Sequence, residues 1–84
     1  LQIKILLFAS CRDLVGAKHV ELSVRDGTTV GELKQQIVKD YPRMRGITPS
    51  LSTAINMEYV GDDAVLKSSD EVALIPPVSG GQDI

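Results

Sequence analysis

The stretch Glu71-Val72-Ala73-Leu74-Ile75-Pro76-Pro77-Val78-Ser79-Gly80-Gly81 changes character within a few residues. Glu71 to Ile75 reads as a strand, with Val72 and Leu74 on one side and Ala73 and Ile75 on the other. Pro76 and Pro77 remove two backbone donors and fix φ, so sheet pairing stops there and the chain leaves stiff and extended. Val78, Ser79, Gly80 and Gly81 add little bulk to bury, and a Gly-Gly pair carries the largest entropy cost of ordering. Beyond the ordinary fraying of a terminus, such an ending does little for a fold. It suits delivery of a C-terminal group into another protein's narrow cleft.

Working back from that tail, the 84 residues read as one domain over 1–77 followed by a flexible segment, 78–84. Hydrophobic residues at 43% and charged residues at 24% are enough for a single modest core in a soluble globular chain. The net charge of −2 and the lack of a basic run exclude a nucleic-acid partner at this level of reading. No apolar stretch reaches the length of a membrane span and no signal peptide is evident, so no membrane partner is expected. The opening Leu1, in place of Met, reads as a trimmed chain or a piece of a longer one. Cys11 stands alone and forms no internal disulfide, which points to the reducing cytoplasm and leaves stability to packing.

At the other end, Leu1 to Ala9 reads as a strand with Ile3, Ile5 and Leu7 on one face. The opposite face starts polar and turns apolar at Leu6 and Phe8. Arg12 to Gly16 forms a short helical turn, and Lys18 to Val24 a second strand, with Val20, Leu22 and Val24 inward and His19, Glu21 and Ser23 outward. Thr29-Val30-Gly31-Glu32 is a capping-box pattern that opens the only long helix. Val30, Leu33, Ile37 and Tyr41 form its apolar stripe, Glu32, Lys34, Gln35, Lys39 and Asp40 face water, and Pro42 stops it just after Tyr41. Arg43 to Ser50 reads as a loop, Leu51 to Asn56 as a third strand and Glu58 to Val60 as a short edge strand. Two strands, a helix and further strands suggest an α+β, β-grasp fold: a mixed sheet of four to five strands with one main helix on one face.

The candidates for chemistry are few. His19 has no second ligand near it in sequence, so no metal site is expected. Cys11 has no base close in sequence and reads as an inert thiol. Asp62-Asp63 and Asp70-Glu71 read as turn residues, and no glycine-rich phosphate loop is present. The chain has no recognisable active site of its own and calls for no tightly bound cofactor. Leu6, Phe8 and Ile75, by contrast, become neighbours if the first and last strands pair. They would form an exposed apolar patch at the root of the tail, of the kind that marks a protein interface.

Ala73 to Gly81, together with the opening Leu6-Leu7-Phe8-Ala9-Ser10-Cys11-Arg12-Asp13-Leu14-Val15-Gly16, resembles the small, sulfur-carrying subunit family of molybdopterin synthase, a ubiquitin-like β-grasp family. The spacing between the two ends matches as well, so the likeness spans nearly the whole chain. It implies that the first and last strands lie side by side in the middle of the sheet. It implies two partners, the large catalytic subunit of the synthase in a heteromer and an adenylating enzyme of the ubiquitin-activating type that uses Mg-ATP. Arg12 matches a basic position of that family, to pair with an acidic partner residue; as a plain reading it is also a solvated charge. Leu6, Phe8, Ile75, Pro76, Pro77, Val78, Ser79 and Gly80 are the implied contact residues. The carried group would be a thiocarboxylate on Gly81, formed through an acyl-adenylate and used to make the dithiolene of molybdopterin from cyclic pyranopterin monophosphate. Such a subunit donates sulfur and catalyses nothing alone. Four extended residues, Val78 to Gly81, reach about 13–14 Å, which bounds the depth of the partner's site.

Gln82, Asp83 and Ile84 depart from that pattern, because they hold the Gly81 carbonyl in a peptide bond. Either a protease exposes Gly81, or the three residues belong to a fusion joint, or the chain carries no sulfur. A second function of a different class is therefore a ubiquitin-like modifier, processed to Gly81 and joined to lysines. A third, sulfur carriage for thiamine, shares the Gly-Gly end, but the Ile75-Pro76-Pro77-Val78 ending resembles the molybdopterin family instead.

Overall fold

The computed structural model describes residues 1–77; the calls on Val78, Ser79, Gly80, Gly81 and residues 82–84 lie outside the described residues. Five strands, β1 (Gln2–Leu7), β2 (His19–Ser23), β3 (Ser52–Ile55), β4 (Glu58–Val60) and β5 (Glu71–Ile75), form one mixed sheet in the order β2-β1-β5-β3-β4. β1 runs parallel to β5 and antiparallel to β2, and β3 is antiparallel to both β4 and β5. The central parallel pair is the arrangement expected of a β-grasp fold.

Alternation along β1 puts Ile3, Ile5 and Leu7 on the core face, where they are at most 2% exposed. Val72 and Leu74 of β5 stand opposite Ile5 and Leu7 and are fully buried. A short helix, α1 (Ser10–Val15), follows β1 and is closed by Gly16 in the left-handed conformation, φ 84°, which a residue with a Cβ adopts at a cost.

The main helix, α2 (Val30–Asp40), covers the core face with Val30, Leu33 and Ile37, all fully or almost fully buried. Its capping box is formed: Glu32 N–H donates to Thr29 Oγ1 at 3.3 Å, and Thr29 N–H to Glu32 Oε1 at 3.0 Å. Two further first-turn donors, Val30 N–H and Gly31 N–H, reach the carbonyls of Ala64 and Asp62 at 2.9 Å each. The loop after β4 is thus laced to the helix start, and Leu66 is buried beneath it.

Three expectations are corrected. The helix ends at Asp40, and Tyr41 is its half-buried C-terminal cap, because Pro42 pushes the preceding residue out of helical geometry. The segment after it is not a plain loop: Pro42–Met44 and Thr48–Ser50 form 3-10 turns that sink Met44 completely into the core, with the Thr48 hydroxyl donating to the Met44 carbonyl. Lys34 does not simply face water. Its ammonium sits 2.8 Å from Asp62 Oδ1 and donates to the Leu51 carbonyl at 3.4 Å, tying α2 to both flanking segments.

Candidate docking face at the root of the tail

The face of the sheet away from α2 carries one continuous row in register. His19 on β2 stands opposite Leu6 on β1, Leu6 opposite Ala73 on β5, Ala73 opposite Ala54 on β3, and Ala54 opposite Tyr59 on β4. Leu6 and Ala73 are half-buried, Ala54 is buried, and Tyr59 is 72% exposed. Small alanines at the centre, flanked by Leu6 and Tyr59, make a shallow trough across the middle of the sheet. One row away from the tail the character changes: Lys4 stands between Glu21 and Glu71. Charge at that row ends the apolar surface.

On the tail side, Ile75 is half-buried opposite Ser52, and Phe8, just past the end of β1, is 41% exposed. The chain turns sharply after Phe8. Ala9 holds φ 48° and ψ −122°, a conformation that costs an L-residue strain, and Cys11 N–H closes back on the Phe8 carbonyl at 3.0 Å. Beyond Ile75, Pro76 is buried and Pro77 exposed, so the first proline anchors the exit and the second begins it. Arg12 is exposed on α1 and belongs to no ion pair among the described residues.

Sheet pairing therefore puts Leu6 directly against the strand that holds Ile75 and leaves Phe8 exposed at the same end. Tyr59 and the two alanines are the members of this surface that sequence reading missed. The signal for Tyr59 lay in Asn56-Met57, which closes a two-residue hairpin with both residues at positive φ, 50° and 73°, and so fixes Tyr59 opposite Ala54. The turn is pinned from outside as well: Asn56 Nδ2 donates to Asp70 and Asn56 Oδ1 accepts from Glu71 N–H, both at 3.0 Å.

Reactive groups are scarce here. Cys11 is fully buried and its thiol is pushed up by loss of solvation, partly offset by a backbone hydrogen bond, so the neutral thiol is favoured. His19 is exposed on the outer face, and no cluster of three metal-ligating side chains occurs among the described residues. No helix among them is long and apolar enough to cross a membrane. What this face offers is an apolar surface beside Pro76 and Pro77, which follow the central strand β5.

Comparison with known proteins agrees with that architecture. Residues 5–81 match the ThiS family. The chain is 36% identical over 80 residues to the molybdopterin synthase sulfur carrier subunit of Arabidopsis thaliana, covering 95% of this chain and 83% of that protein. It is 39% identical over 83 residues to the subunit of the same name from Chlamydomonas reinhardtii, covering 96% and 100%. The crystal structure of SAMP1, small archaeal modifier protein 1, from Haloferax volcanii superposes with a TM-score of 0.85 at 27% identity, covering 96% of this chain and all of that one. With a β-grasp sheet, one capped helix and a near full-length match at both ends, the chain belongs to the ThiS family, among the molybdopterin synthase sulfur carrier subunits.

Proposed function

We propose that this protein carries sulfur for molybdopterin synthase as its small subunit, presenting the sulfur as a thiocarboxylate on Gly81. The observation that carries the reading is the apolar row on β1 and β5, which meets the root of the tail at the centre of the sheet. A partner that covers Leu6, Phe8, Ala73 and Ile75 receives the tail beside its own surface, within the reach of a few extended residues. The family match reaches to Gly81, which supports Gly81 as the position of the carried group.

The chemistry needs a free Gly81 carboxylate. One of its oxygens attacks the α-phosphorus of Mg-ATP on an adenylating enzyme, pyrophosphate leaves, and the acyl-adenylate forms. A sulfur nucleophile then makes the C–S bond while the bond to AMP breaks. Glycine suits both steps because no Cβ crowds the carbonyl. The large catalytic subunit takes the sulfur onward, so the small one is a sulfur-donating partner in the sulfurtransferase reaction and works in the cytoplasm. Arg12 and the Val78-Ser79-Gly80 segment contact the partners.

A second reading, a ubiquitin-like modifier, is favoured by the close superposition on a protein named as an archaeal modifier. Affinity capture of the chain ending at Gly81 from its native host separates the two. A sulfur carrier returns one tight partner of the large-subunit type, whereas a modifier returns a ladder of conjugates that survives denaturation. A ladder without the partner would overturn the carrier reading.

A further inference from the structure

On the helix side of the sheet lies an open groove of about 400 Å3. One wall is a stripe of α2 formed by Lys34, Gln35 and Val38, the other is formed by Arg45 and Pro49, and Asp62 closes one end. Residues 33–50 carry Lys34, Lys39, Arg43 and Arg45 against one carboxylate, Asp40. That is a net +3 in a chain of −2, so all other residues together sum to −5. The groove's own lining carries Lys34 and Arg45 against Asp62, a net +1.

The groove's own groups say what would fit. Lys34 is held in place and already balances Asp62, at 2.8 Å. Arg45 is exposed and in no ion pair among the described residues, which leaves one cation at the groove unmatched. Val38 on one wall and Pro49 on the other give the groove apolar sides that a small inorganic anion would leave wet. The exposed Gln35 amide and the second oxygen of Asp62 can pair with peptide N–H and C=O groups. We infer that this groove is a second docking site, for an acidic, extended protein segment that seats one aliphatic side chain beside a carboxylate matched to Arg45. The sheet separates it from the outer face, so both surfaces can be occupied at once, and the inference does not depend on the carrier reading.

The test uses the isotope-labelled full-length chain and follows its amide resonances. Two pools of short, end-blocked peptides are titrated: one has Asp or Glu flanking a central Leu, Ile or Val, the other has Lys or Arg in their place. Inorganic phosphate is titrated separately. The acidic pool should move Gln35, Val38 and Arg45 saturably with a Kd of about 0.1–1 mM, and added salt should weaken it. Arg45→Glu and Gln35→Glu should each weaken binding about tenfold, and Gln35→Lys should tighten it about threefold. Both positions are exposed, and the Gln35 pair decides the matter should Arg45→Glu lower the melting temperature. The inference is overturned by an acidic pool that gives no saturable shift. It is equally overturned if the basic pool or phosphate moves the same amides as strongly, or if the Gln35 variants bind alike.

Discussion

Leu6 of β1 and Ala73 of β5 stand directly opposite one another across the parallel pair at the centre of the sheet, on the face that α2 leaves uncovered. The first strand and the strand that launches the tail are thereby joined into one surface. Whatever grips one grips the other.

Replacing Phe8 by Asp should leave the fold intact, because the ring is already 41% exposed, while binding to the large subunit is abolished. Calorimetric titration against the large subunit measures the loss, and a thermal melt of the variant alone measures the fold. An unfolded variant would place Phe8 in the core.

Leu33→Ala removes a fully buried side chain from the stripe of α2 and should cost roughly 2–5 kcal/mol, a large share of a marginal total. Urea unfolding at constant m-value gives the number. A loss below about 1 kcal/mol would mean the site collapses around the deletion.

Thr53 is 3% exposed on the core face of β3, and its hydroxyl has no hydrogen-bond partner. Thr53→Val keeps the shape and removes an unpaired polar group, so it should stabilise by about 1 kcal/mol. Destabilisation in the same urea experiment would show that the hydroxyl is paired after all.

Cys11 should resist alkylation at neutral pH in the native state and react readily once urea unfolds the chain. Since burial raises the thiol's pKa in the fold, the folded state holds the proton longer than the unfolded one. Its contribution to stability is therefore present below the unfolded pKa and declines as pH rises above it. Cys11→Ser should flatten that alkaline decline, which stability measured across the alkaline range would show directly.

A chain ending at Gly81 should accept sulfur from an activating enzyme and ATP, gaining the mass of one oxygen-to-sulfur exchange. The chain ending at Ile84 should stay unchanged in the same reaction unless a protease is added. Gly81→Val should block transfer even with the carboxylate free, since its branched Cβ crowds the carbonyl. Failure of the Gly81-terminated chain with a competent activating enzyme would move the modifier reading ahead.

How far the sequence alone reaches is visible residue by residue. Ile3, Ile5 and Leu7 declare their face by a period of two, and Thr29 with Glu32 declares the start of α2, because both signals are local. β5 was legible to the residue, since Pro76 ends it. Met44 gave no such signal: it lies in a 3-10 turn with no periodic neighbours, and the packing of that turn against α1 and α2 buries it. Lys34 read as a surface charge because its partners, Leu51 and Asp62, are 17 and 28 residues away. On the candidate docking face, strand parity placed Leu6 and Ile75 away from α2, whereas β1 stops at Leu7, short of the Ala9 expected, and leaves Phe8 beyond the strand. Tyr59 was not legible, because its place depends on the register of a hairpin beside β5.

The parallel pairing of β1 with β5 also sets how the domain answers a pull. β1 starts at one end of the sheet and β5 finishes at the other, so tension between the amino end and the tail loads their shared hydrogen bonds in shear, all together, and not one after another as in unzipping. β3 grips β5 along its other edge. A pull on the chain beyond β5 is therefore borne along the whole strand pair at once, and the body of the protein holds like a knot at the end of a cord.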